Sequence, residues 1–97
     1  MKDPNLTDNQ LHRSDMGVVG DLEHGGRRIS IARVSRAESL TYLQWNVDGV
    51  YASGSPAKAA AVLDAWLQSL PAGARMTMNS EAIDVAVAIR EIGQEPA

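Results

Sequence analysis

In LTYLQWNVDGVYASGS, residues 40–55, the pair Asp48-Gly49 separates two stretches in which apolar and polar side chains alternate. An Asp-Gly pair in that setting is the strongest short-range hairpin signal, because a two-residue type I′ turn needs both central residues at positive φ. The turn also sets the register: Val47 opposes Val50, Trp45 opposes Ala52 and Asn46 opposes Tyr51. Period two then places Leu43, Trp45, Val47, Val50 and Ala52 on one face of the hairpin and Tyr42, Gln44, Asn46, Tyr51 and Ser53 on the other. The first face is suited to a core. The second carries both tyrosines of a chain that has no Phe.

The preceding segment reads the same way. MGVVGDL (16–22) and RRISIARVSR (27–36) are β-prone runs around EHGG, whose glycines supply the positive φ of a turn. A four-residue EHGG loop would pair Leu22 with Arg27 and Asp21 with Arg28. It would turn Met16, Val18, Leu22, Ile29 and Ile31 toward the core and leave Val19, Asp21, Arg28 and Ser30 outside. The alternation slips between Ile31 and Val34, which predicts a bulge near Ala32 or Arg33 and leaves the register onto the third strand open.

After the strands the period changes. Ser55-Pro56 opens a helix, serine as the cap and proline where its missing N–H costs nothing. Val62, Leu63, Trp66, Leu67 and Leu70 follow at helical spacing, and LPAGA ends the run. MTM (76–78) is expected to add a short strand. Asn79 or Ser80 caps a second helix to about Ile92, stopped by Gly93. Within AIDVAVAIREI the large residues alternate with period two, a strand pattern, yet the alanines and the cap and stop signals favour a helix, with Asp84 and Glu91 on its wet side.

The expected class is therefore α+β: a four-stranded antiparallel meander with two C-terminal helices packed on one face. Residues 1–15 are polar apart from Met1, Leu6 and Leu11 and read as an N-terminal arm before a single domain over 16–97. Ninety-seven residues suit one core. The chain contains no cysteine, so disulfides and thiolate chemistry are excluded. No apolar run approaches the ~20 residues of a membrane span and the start lacks a secretion signal, which makes a cytoplasmic location the expectation.

Catalytic and cofactor chemistry find no support. His12 and His24 stand in no metal-ligand or triad spacing, GVVGDLEHGG lacks a phosphate-binding fingerprint, and the serines have no identifiable base. The expectation is a protein that is not an enzyme, with no metal and no cofactor. The charge distribution is more informative than the net charge of −3: residues 27–36 hold four arginines and no acid, while residues 37–97 hold seven acids and three bases. With helices covering one sheet face, Tyr42, Tyr51, Arg28, Gln44 and Asn46, with Arg33 or Arg36 on the face or its edge, form the candidate partner-binding set. Tyrosine and arginine are the types enriched at interface hot spots, although the same residues also suit a solvated strand surface. A single-stranded nucleic acid would use arginines beside tyrosines on an open sheet. The negative charge, the missing RNA-recognition motif and the absence of strand–helix alternation rank nucleic acid below protein as a partner.

The order of strands followed by two helices, with IARV at 31–34, LDAWLQSLPAG at 63–73 and REI at 90–92, resembles small phage-encoded anti-CRISPR proteins of the type I-F inhibitor group. The resemblance covers the last two thirds of the chain. It implies a bare antiparallel sheet backed by helices and an inhibitor that binds protein subunits of a CRISPR surveillance complex sterically, without turnover. The polar arm and the longer approach to the final helix depart from that pattern, so no contact residue is carried over. The alternative is a homodimeric interaction domain, joined through its second helix or an edge strand.

Overall fold

The computed structural model describes residues 16–35 and 41–94 of the chain. Four strands, β1 (Met16–His24), β2 (Arg27–Ser35), β3 (Thr41–Val47) and β4 (Val50–Gly54), form one antiparallel sheet in the order β1-β2-β3-β4. Two helices follow, α1 (Pro56–Gln68) and α2 (Ala72–Gly93). Both pack on the same side of the sheet, α1 mainly over β3 and α2 over β1. This is the α+β meander expected from the sequence. The expected arm over residues 1–15 lies outside the described residues.

The β3–β4 hairpin has the register set by its turn, with Val47 opposite Val50, Trp45 opposite Ala52 and Leu43 opposite Gly54. Asp48 and Gly49 take φ of 50° and 94°. The Asn46 side chain holds the turn by accepting from the Gly49 N–H at 2.8 Å. The first hairpin differs from its expectation. Gly25 and Gly26, at φ 56° and 83°, close a two-residue turn instead of a four-residue loop, so that Leu22 opposes Ile29 and Asp21 opposes Ser30. The slip is two residues, which preserves the faces, and Leu22, Ile29 and Ile31 are buried.

The bulge is also elsewhere. β2 pairs with β3 without interruption from Ile29–Val47 to Ser35–Thr41, and the irregularity falls in β1 between Val18 and Gly20. It turns Val19 rather than Val18 toward the core and leaves Val18 80% exposed. The cause is tertiary. Val85 of α2 sits so close over Gly20 that any Cβ there would overlap its methyls, and the extra residue in β1 brings the glycine to that spot.

Ser55 caps α1 as expected, its Oγ accepting from the Lys58 N–H at 3.2 Å. Ala59, Leu63 and Trp66 form the buried stripe of α1, continued by Leu70 beyond its end. In place of a short strand at 76–78, a single helix of 22 residues starts at Ala72. Ala74, Met78, Ala82, Val85 and Ile89 recur at helical spacing on its buried side, so the core selects the helix over the local period-two pattern. No helix among the described residues is long and apolar enough to cross a membrane.

Candidate protein-binding face of the sheet

The face of the sheet opposite the helices is assembled by register. One cross-strand row runs Asp21, Ser30, Asn46, Tyr51, and the next Val18, Ala32, Gln44, Ser53. Val34 and Tyr42 begin a third. Because Ser30 and Ala32 are small and stand between larger neighbours, the middle of the face is a shallow hollow of about 230 Å³ rimmed by Val18, Arg28, Gln44 and Tyr51. A second, more polar hollow of about 650 Å³ adjoins it at the turn end, sharing Arg28, Ser30, Asn46 and Tyr51. Tyr51 borders both and is 75% exposed.

Five of the seven candidate residues thus lie on this face: Tyr42, Tyr51, Arg28, Gln44 and Asn46. Arg33 does not. It opposes Leu43 on the helix side, half-buried at the rim, because β2 carries no bulge. An arginine is tolerated there, since its aliphatic stem can lie along apolar surface. Arg36 lies outside the described residues. Val18, assigned to the core from its spacing, joins the open face instead.

The electrostatics are nearly self-contained. Arg28 grips Asp21 in a two-pronged ion pair, Nε donating to Oδ1 at 2.9 Å and Nη2 to Oδ2 at 2.6 Å. The pair is diagonal, since Glu23 rather than Asp21 directly opposes Arg28. The hydrogen bond from Arg28 holds the Asp21 carboxyl below its ordinary value against a smaller opposing effect of desolvation. Arg28 therefore fixes the surface more than it advertises a positive charge. Among the described residues the face sets Arg28 against Asp21 and Glu23, which does not attract a phosphate backbone.

A second ion pair ties the turn end of the sheet to α1. Arg27 donates through Nε to Asp48 at 3.0 Å and through Nη2 to Ser69 at 2.9 Å, with its guanidinium 5.9 Å from the centre of the Trp66 ring. Asp48 also accepts from the Arg28 backbone N–H at 2.9 Å. The Arg27 hydrogen bond is the main cause of the lowered Asp48 carboxyl, and the backbone N–H is the next. The buried Trp66 Nε1 contributes by proximity, without the geometry of a full hydrogen bond. This staple joins residues far apart in sequence and had no signal in it.

His24 is exposed at the hairpin end, and His12 lies outside the described residues. No group of three or more His, Cys, Asp or Glu side chains converges among the described residues. Comparison of the chain with protein-family models, curated proteins and solved structures finds no match.

Proposed function

We propose that this chain is a non-enzymatic protein-binding inhibitor that works sterically in the cytoplasm, laying the open face of its sheet against a larger complex. The observation that carries the reading is the hollow face itself. Tyr51 and Val18 stand exposed on either side of a floor of Ser30 and Ala32, while the opposite face is covered by both helices. An exposed apolar and aromatic rim around a shallow concavity accepts a protruding apolar side chain of a partner, and the Arg28–Asp21 pair presets the polar edge. The near-balance of charge favours a protein surface over a nucleic acid.

The resemblance to type I-F anti-CRISPR proteins makes the protein subunits of a CRISPR surveillance complex the first partner to test. Purified chain is mixed with a purified type I-F surveillance complex, and co-elution and target-DNA binding are measured. The expected result is stable co-elution and loss of DNA binding, both abolished by the Tyr42→Ala/Tyr51→Ala double variant with its melting temperature unchanged. Absence of co-elution removes this partner. Undiminished binding by the double variant removes the face.

A further inference from the structure

We infer that the outer edge of β4 is a self-association site, at which a second copy of this chain adds its own β4 antiparallel to form a continuous eight-stranded sheet. Among the described residues, β4 is hydrogen-bonded to β3 alone. In a two-residue hairpin the Val47–Val50 pair exchanges its bonds inward, so the N–H and C=O groups of Tyr51 and Ser53 point out from the edge. Among the described residues nothing guards them. The strand VYASG carries no charge and no proline, and its pairing has no bulge.

The helix side of the same edge is unfinished. α1 lies over β3, and β4 projects beyond it, leaving Val50 69% exposed although it lies on the face that is otherwise core. Val50 and Ala52, with Val62, Ala65 and Trp66 of α1, line an open apolar groove of about 490 Å³.

A copy of the same strand fits this edge. With the two-fold axis at Ala52, the outward-pointing residues form the hydrogen-bonded pairs Tyr51–Ser53 and Ser53–Tyr51, while Ala52 meets Ala52. Val50 meets Gly54, a position where even a Cβ would crowd Trp45 and Lys58 at 3.1 Å. Each pair sets a large residue against a small one or two small ones together. The two α1 helices, each over its β3, would stand three strand spacings apart, about 14 Å. Packed helices sit about 8–10 Å apart, so they do not collide. The pairing leaves both Tyr51 side chains on the open face, and it does not depend on what that face binds.

The chain has no native cysteine, which permits a direct test. Directly opposed residues of a non-hydrogen-bonded antiparallel pair have Cα atoms about 4.5 Å apart, within disulfide range. Single variants Ala52→Cys, Val50→Cys and Ile83→Cys of the full chain are oxidised, and the unmodified chain is sedimented over a hundredfold range of concentration. The expected result is a concentration-dependent dimer, fast disulfide dimerisation at position 52 and slow reaction at 50 and 83. Val50→Lys and Ser53→Pro should each give a folded monomer at every concentration, the latter because it deletes an outward N–H. A monomer throughout for the unmodified chain, or preferential cross-linking at 83 on the exposed side of α2, would overturn the proposal.

Discussion

The two edges of the sheet are built on opposite principles. β1 carries a bulge, two acids and a glycine onto which Val85 of α2 locks, so that the strand is bent, charged and backed by the longer helix. β4 is regular, uncharged and overhangs α1. Both edges end a ladder with unpaired backbone groups. The difference teaches that an edge strand is closed by side chains and backing, not by its position, and that among the described residues only the β1 end of the sheet is closed.

Leu22 and Val50 give the largest contrast. Leu22 on β1 is 2% exposed, and Leu22→Ala should cost about 2–5 kcal/mol by transfer and cavity terms, read by chemical denaturation. Val50→Ala, on a side chain open to solvent in the monomer, should change monomer stability by no more than about 0.5 kcal/mol. Comparable losses at the two sites would break the distinction between anchored and bare edges.

Gly20→Ala tests what locks β1. The added methyl overlaps the Val85 side chain, and the expected cost is about 1–3 kcal/mol, largely relieved by Val85→Ala in the double variant. Additive effects would mean that Val85 is not the obstacle.

The smallest effects are electrostatic. The Asp21 carboxyl is lowered by Arg28 and the Asp48 carboxyl by Arg27. A carboxyl depressed in the folded state contributes stability that is present above its ordinary value of 3.8 and is lost as pH falls through the lower folded value. Melting temperature should therefore fall as the pH is taken below about 4. Asp21→Asn and Asp48→Asn should each flatten that drop, because each lowers the melting temperature at pH 7 by the contribution that acid removes from the unmodified chain. A slope that neither variant alters would place the acid sensitivity elsewhere.

Much of this architecture was legible in the sequence because local chemistry and tertiary fold agree there. Asp48-Gly49 sets the second hairpin, its register and both its faces, and Ser55-Pro56 opens α1. The misplaced features are those decided at a distance. The bulge at Val18–Gly20 answers to Val85, some 65 residues on. The start of α2 at Ala72 is imposed by the burial of Ala74 and Met78 against the core, over a segment whose local pattern suggested a strand. EHGG admitted two loop lengths that differ by two residues in register and give identical faces, which is why the buried residues of β2 were right while the pairing was not. The open face was legible for the β3–β4 hairpin and illegible for Arg33, because the alternation broke at a position where an arginine could be half-buried on either side. The diagonal grip of Arg28 on Asp21 depended on the true register.

The claim that joins these results is that the β4 side of the sheet, its edge with Tyr51 beside it, is where this chain meets other proteins, while the β1 side is closed. Amide hydrogen exchange of the full chain, measured when dilute, when concentrated and with a bound partner, tests it most directly. The account predicts that the amides of Tyr51 and Ser53 exchange fast when dilute and slow markedly on association, with those of β1 and α2 unchanged. Protection gained along β1 or α2, with β4 exchanging at the same rate throughout, would contradict it.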